Sequence, residues 1–332
     1  MTPEIIAHRG ASYLAPENTL AAFKKAMEIG ADGIEMDVQQ TSDGGLVIHH
    51  DYIIDLHTDI SGKIYDMTMG ELRELDFGSW KDIIFKDERI ATLQEAMELC
   101  RQMPTCTVFL ELKSTMNNDP EFVPRVLEVL RNVDIVEQVV LISFNHDLLR
   151  QAKQLLPQIR VGALLYGAVE SILFPASFWE LSGIAGDWQE ENGLPEAADT
   201  ASAAAAEEQN CLNSSWMTRW MNDKIAMLRA SFPGSTMREI AQNLARQNDP
   251  VAYIQSLDFP VEWVSCEYHT AYEYPRFVGQ LQKCGVKVAL WTVDTENAVK
   301  LLLQTGPDAY ITNRPDRVRE WLANAQKTAA AG

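Results

Sequence analysis

Acidic and basic side chains recur at two-residue spacing on two short apolar runs. In Gly33-Ile34-Glu35-Met36-Asp37 the pair is Glu35 and Asp37; in Leu110-Glu111-Leu112-Lys113 it is Glu111 and Lys113. Residues i and i+2 of a strand share one face, so the members of each pair point the same way. Three carboxylates converging in a dry site would repel one another. A hard divalent cation with oxygen ligands, Mg²⁺ or Ca²⁺, resolves that repulsion. The plainer reading is surface carboxylates paired with lysines. His8-Arg9-Gly10 follows the apolar run Ile5-Ile6-Ala7, and His49-His50-Asp51 closes a short run from Leu46 after the turn Asp43-Gly44-Gly45. Three of the six histidines thus lie at strand ends before residue 51. His49 reads best as a satisfied structural residue. Two imidazoles beside a metal site, His8 and His50, form a candidate acid/base pair, because imidazole transfers protons near neutral pH. Arg9 offers a bidentate fork for phosphate and Lys113 a point charge; the bland alternative for Arg9 is a salt bridge with Glu17.

Such residues need a scaffold that brings strand ends together. Short β-branched runs alternate with amphipathic stretches along the chain. The runs are 5–8, 33–38, 107–113, 139–144, 160–165, 261–266, 286–293 and 309–312, and helical spacing is found at 20–29, 93–101, 120–131 and 147–156. Thr19 and Gly30 suit the two caps of the first helix. Eight βα units predict a closed (β/α)₈ TIM barrel, which keeps its catalytic groups at the C-terminal ends of the strands. An open doubly wound sheet is the competing fold, but no GxGxxG opens any helix. Two stretches break the alternation: a small insertion at about 52–88, after the second strand, and a large, mainly helical one at 167–258, after the fifth. The expected organisation is therefore a barrel domain of residues 1–166 and 259–332 carrying an inserted segment.

The chain has 332 residues, 47 acidic against 28 basic side chains, and a formal net charge of −19. That balance argues against general nucleic-acid binding and against adsorption to anionic lipid. With 46% hydrophobic residues the chain can bury a core. Its five cysteines, Cys100, Cys106, Cys211, Cys266 and Cys284, include no CxxC pair, so reduced thiols in a cytoplasmic protein are expected. No secretory signal is visible and no apolar run is long enough to span a membrane.

The ordered set His8-Arg9-Gly10, Pro16-Glu17-Asn18-Thr19, Glu35-Met36-Asp37, His50-Asp51, Glu111-Leu112-Lys113, Ser143-Phe144 and Trp291-Thr292-Val293-Asp294 resembles the glycerophosphodiester phosphodiesterase family. The motifs run from residue 5 to about 317. The stretch from Asp66-Met67-Thr68 to Thr92-Leu93-Gln94-Glu95 looks like that family's small insertion. The resemblance implies a metal-dependent (β/α)₈ barrel that hydrolyses glycerophosphodiesters to glycerol 3-phosphate and an alcohol. It implies Glu35, Asp37 and Glu111 as metal ligands and His8 and His50 as acid/base catalysts. Arg9 and Lys113 would hold the phosphate, and Phe144 and Trp291 would line the pocket near the glycerol. The mechanism it implies runs through a cyclic phosphate. Its partner is a small-molecule glycerophosphodiester; a homo-oligomer stays open.

Departures from the family pattern are local. Ile54-Asp55-Leu56-His57-Thr58 stands where the family usually has Leu-Asp-Arg-Thr-Thr. Asp294 replaces a commoner Asn, and Asn313 a commoner Asp. The large insertion carries a net charge of −8 and an apolar aromatic run from Ile172 to Trp179, with Trp188, Trp216 and Trp220 beyond. Its roots lie on the catalytic face, so a lid or side wall selecting the alcohol portion is one expectation, and aromatics forming the insertion's own small core or a subunit contact the other. Two alternative functions remain: a lysophospholipase-D-like or sphingomyelinase-D-like enzyme acting on lipid phosphodiesters, and a catalytically silent glycerophosphodiester-binding protein.

Overall fold

The computed structural model describes residues 2–115, 119–166 and 228–331. Its strands, in chain order, are β1 (Glu4–Ala7), β2 (Gly33–Gln40), β3 (Leu46–Ile48), β4 (Ala91–Thr92), β5 (Thr107–Leu112), β6 (Val139–Ser143), β7 (Arg160–Leu165), β8 (Trp263–Glu267), β9 (Lys287–Trp291) and β10 (Ala309–Thr312). Eight of them, β1, β2 and β5 to β10, pair in parallel around a closed barrel, and β1 bonds both β2 and β10 to complete the ring. All eight correspond to the runs read from sequence. β2 extends past the expected end at Val38 because Val38–Gln40 pair antiparallel with Leu46–Ile48. β4 adds a further antiparallel strand to that edge.

Local chemistry sets the helices. Leu20–Ile29 starts where Thr19 Oγ1 accepts from the Ala22 N–H, and stops at Gly30, whose φ of 78° few other residues adopt. Leu93–Cys100 starts with a capping box between Thr92 and Glu95. In the second insertion, the helix expected after Thr236 is present as Met237–Gln247, again boxed, by Thr236 and Glu239. A further helix, Pro250–Gln255, goes beyond the sequence expectation; Asp249 caps it and proline occupies its first turn. The helical pattern expected at 215–230 is described only from residue 228, and the aromatic run 172–179, Trp188, Trp216 and Trp220 lie outside the described residues. Among the described residues, no helix is long and apolar enough to cross a membrane.

Strand alternation splits the core into two layers. Outward-facing Ile34, Met36, Val38, Leu110 and Leu141 pack beneath the surrounding helices. Inward-facing Ile6, Phe109, Val140, Trp263 and Ala289 fill the barrel, and the Phe109 and Trp263 rings meet edge-on at 5.0 Å. That plug is the floor of the mouth above it. Gly33 is required at the β1–β2 contact, because a Cβ there would lie 2.4 Å from the Thr107 carbonyl oxygen and 2.6 Å from Ile6 Cδ1. The small insertion has its own apolar cluster, in which Ile54, Ile64, Leu72 and Phe77 pack on Val47 and Ile90.

Candidate active site

β2 and β5 run side by side with Asp37 directly opposite Glu111. Glu35, one pleat earlier on the same face, completes a buried triad in which one carboxylate oxygen from each acid lies within 4.8 Å of the others. Divalent cations bind carboxylate oxygens at about 2.0–2.6 Å, so a single ion fits among these three. Lys113 Nζ reaches into the same cluster, 2.7 Å from Glu111 Oε1 and 3.0 Å from Asp37 Oδ1.

The loop after β1 closes over the triad. Its backbone is turned by Arg9 at φ 55° and Gly10 at φ 81°; a Cβ on Gly10 would lie 2.7 Å from Ala22. The turn aims the Arg9 N–H at Glu35 Oε2, 2.9 Å away. The guanidinium donates from Nη1 to Glu17 Oε1 at 2.6 Å, the salt bridge anticipated as the plainer reading, and places Nε 3.6 Å from Asp37 Oδ2. His8 points Nε2 toward Glu35 Oε2 at 3.9 Å and sets Nδ1 against Asn313 Oδ1 at 2.7 Å. On the other side of the cluster, His50 places Nδ1 2.7 Å from Asp51 Oδ1.

Burial and neighbouring charge explain the electrostatics. Burial, then the Asp37 charge, pushes the Glu35 carboxyl well above its ordinary range. Burial pushes Glu111 up to about 7, against the pull of Lys113. Asp37 is also desolvated, but Lys113, His50 and Arg9 outweigh that and hold it well below the carboxylate range. Lys113 is kept charged by Asp37 and Glu111 despite its burial. Two of the three acids thus tend to keep a proton unless more positive charge arrives, which a divalent cation held among them would supply. Burial followed by the Arg9 charge lowers His8 to about 3, and burial with Arg9 and Lys113 lowers His50. Desolvation thus disfavours the imidazolium form of both rings.

The cavity beside the triad measures about 200 Å³. Its polar wall is His8, Arg9, Glu35, His50 and Glu111; its apolar wall includes Ile142, Phe144, Leu164, Tyr166, Trp291 and Ile311. The Phe144 and Tyr166 rings lie 4.3 Å apart, tilted by 30°, and Phe144 meets Trp291 edge-on at 6.2 Å. All nine residues singled out from sequence are gathered around this mouth. His49 is a buried structural residue, with Nδ1 2.8 Å from the Asp51 carbonyl and Nε2 3.2 Å from His57 Nδ1. Leu56, where the family usually has Arg, is exposed.

Several supporting residues escape sequence reasoning. Asn18 donates from Nδ2 to Asp37 Oδ2 at 2.7 Å and accepts from the Asp37 N–H at 3.3 Å. Gln39, fully buried on the inner face of β2, directs Nε2 at the carbonyls of His49, His50 and Asp51 at 2.7, 3.1 and 2.7 Å. It thereby ties the His50 loop to the strand that carries Glu35 and Asp37. Gln39 continues the i, i+2 series of those acids, and that was the available signal. Ser265 Oγ and Trp291 Nε1 line the cavity without a hydrogen-bond partner among the described residues. Nothing in the local sequence marks Ser265.

Fold and site together define a (β/α)₈ barrel with a cation-sized carboxylate cluster and two histidines, His8 and His50, at its mouth. The model of the glycerophosphoryl diester phosphodiesterase family matches residues 8–172 and 213–317. The chain belongs to this family of phosphoric diester hydrolases. It is 44% identical over 168 residues to a glycerophosphodiester phosphodiesterase of Caldanaerobacter subterraneus subsp. tengcongensis, a match covering 50% of this chain and 68% of that one. It is 43% identical over 110 residues to human glycerophosphodiester phosphodiesterase 1, covering 32% and 33% of the two chains. An Oleispira antarctica phosphodiesterase, solved in complex with its product sn-glycerol-3-phosphate, shares the fold with a TM-score of 0.64 at 24% identity, over 97% of both chains.

Proposed function

We propose that this chain hydrolyses glycerophosphodiesters to glycerol 3-phosphate and an alcohol, with a divalent cation held by Glu35, Asp37 and Glu111. The convergence of three buried carboxylate oxygens within 4.8 Å, with His8 and His50 lining the same cavity, carries the reading. Held by these three residues, a cation would supply Lewis-acid charge for a phosphoryl oxygen and for the attacking hydroxyl. Arg9 and Lys113 balance the phosphate charge from the same side. The glycerol moiety lies against Phe144 and Trp291, where Ser265 Oγ and Trp291 Nε1 offer hydrogen bonds to its hydroxyls.

The reaction proceeds in two displacements. The glycerol 2-oxygen bonds to phosphorus as one histidine accepts its proton; the bond from phosphorus to the alcohol oxygen breaks, and the other histidine protonates that oxygen. Water then opens the five-membered cyclic phosphate with the histidine roles exchanged. Preorganised charge and positioned acid/base groups are what this mouth supplies to both steps.

The test is a rate assay on glycerophosphocholine, glycerophosphoethanolamine and lysophosphatidylcholine side by side, after EDTA treatment and with Mg²⁺ or Ca²⁺ returned. Activity on the two glycerophosphodiesters, lost on chelation and regained with metal, is expected. Preference for the lysolipid would move the reading to a lysophospholipase-D-like enzyme. Inactivity on all three would favour a silent binding protein.

A further inference from the structure

Asn313, immediately after β10, touches the first histidine of the site, and its own side chain is held in one orientation. Its Nδ2 donates to Asp294 Oδ2 at 2.6 Å, and its backbone N–H donates to Asp294 Oδ1 at 2.8 Å. Thr312 Oγ1 donates to the same Oδ1 at 3.0 Å. An ionised carboxylate only accepts, so the amide nitrogen of Asn313 must face Asp294 and its oxygen must face away. That oxygen lies 2.7 Å from His8 Nδ1 and accepts from Ser12 Oγ, also at 2.7 Å. A carbonyl oxygen cannot donate. The His8 contact therefore requires the proton on Nδ1 and leaves Nε2, on the Glu35 side of the ring, with its lone pair free.

We propose that Asp294 and Asn313 are positioning residues that select the Nδ1–H tautomer of His8 and aim its unprotonated Nε2 at the reacting centre, so that His8 is the initial proton acceptor. The inference deepens the function proposed above and rests on it for the role of His8. His50 differs in partner: its Nδ1 faces the Asp51 carboxylate rather than a neutral amide. The sequence carries the matching signature, since the two positions that depart from the family pattern at the end of the chain, Asp294 and Asn313, are hydrogen-bonded to each other. Their exchange keeps one carboxylate and one amide in the pair and moves the charge one residue further from His8.

The experiment combines tautomer and rate. Long-range ¹H–¹⁵N correlation of the ¹⁵N-labelled full chain near neutral pH, with His8 assigned by its loss in His8→Gln, reads which ring nitrogen carries the proton. Nδ1–H is expected in the wild type. Asp294→Asn removes the acceptor that orients Asn313; the His8 signal shifts toward Nε2–H, and kcat falls about 10- to 100-fold with KM little changed. The exchanged double variant Asp294→Asn/Asn313→Asp restores a fixed acceptor beside Nδ1, together with most of kcat. Asn313→Ala, which leaves the Thr312–Asp294 contact in place, lowers kcat as the single exchange does. An Nε2–H tautomer in the wild type overturns the proposal, as does wild-type kcat in both single variants. Failure of the exchanged variant to recover beyond Asp294→Asn, with an unchanged His8 tautomer in each, marks a merely structural pair and also overturns it. Full activity of His8→Gln would defeat the catalytic assignment of His8 instead, while the tautomer measurement would still report on Asn313.

Discussion

On the β1, β2 and β5 side of the barrel mouth the inward positions carry His8, Arg9, Glu35, Asp37, Glu111 and Lys113, whereas on the β6, β7, β9 and β10 side they carry Ile142, Phe144, Leu164, Trp291 and Ile311. The backbone does the same thing on both sides: parallel strands alternate side chains in and out. The difference lies in what holds the side chains. On the apolar side packing suffices. On the charged side each buried charge has a counter-charge or hydrogen bond, as burial demands: Lys113 to Asp37 and Glu111, Arg9 to Glu17, Asn18 to Asp37. A phosphodiester with a charged centre and an uncharged glycerol arm has the same two-sided character. Under the proposed function, this division would orient such a substrate as well as bind it.

Removing the proposed acid/base groups of the charged half should produce the largest effect. His8→Ala or His50→Ala is expected to lower kcat by about 10²- to 10⁴-fold while leaving metal titration calorimetry close to wild type. Wild-type-like rates in either variant would break the assignment. Glu111→Gln keeps the shape but removes a charged ligand. Its metal affinity should fall by more than the roughly 10- to 100-fold that outer-shell losses cost, and activity should return only partly at high metal concentration. Across the mouth the effects should be smaller and of another kind. Ser265→Ala removes one hydrogen bond of about 1 kcal/mol, so kcat/KM for glycerophosphodiesters should fall roughly fivefold with metal affinity unchanged. A metal effect there would erase the distinction between the halves.

His146 gives a control away from the charged half. It is buried, its Nε2–H donates to the Leu164 carbonyl at 3.0 Å and its Nδ1 accepts from the Tyr253 hydroxyl at 2.9 Å. Burial lowers its pKa from 6.5 to about 4. The unfolded chain takes up a proton below about pH 6.5 that the folded chain refuses, so stability falls as pH drops from 6.5 toward 4 and this contribution levels off below. In urea titrations across that range, His146→Gln should flatten the slope. An unchanged slope would show that the ring is not held neutral.

Strand and helix order was legible in the sequence because β-branched runs, caps and helical periodicity are local properties. The i, i+2 rule placed Glu35 with Asp37 and Glu111 with Lys113 for the same reason. What was not legible depends on contacts between distant segments. Ser265 looks like any serine in an apolar strand until β8 brings it to the cavity. Gln39 matters through three carbonyls around ten residues away. Asp294 and Asn313 could be noted as departures, but only the fold brings them together and against His8. The small insertion packs Ile54, Ile64, Leu72 and Phe77 against Val47 of β3 and Ile90, contacts that lie outside its own stretch of sequence.

The two-sided mouth is tested most directly by a crystal structure of the full chain with Mg²⁺ or Ca²⁺ and glycerol 3-phosphate. The account predicts one cation coordinated by Glu35, Asp37 and Glu111, the phosphate between His8 and His50 and close to Arg9 and Lys113, and the glycerol carbons against Phe144 and Trp291. A phosphate seated on the apolar wall, or a cation that leaves the three carboxylates uncoordinated, would contradict it.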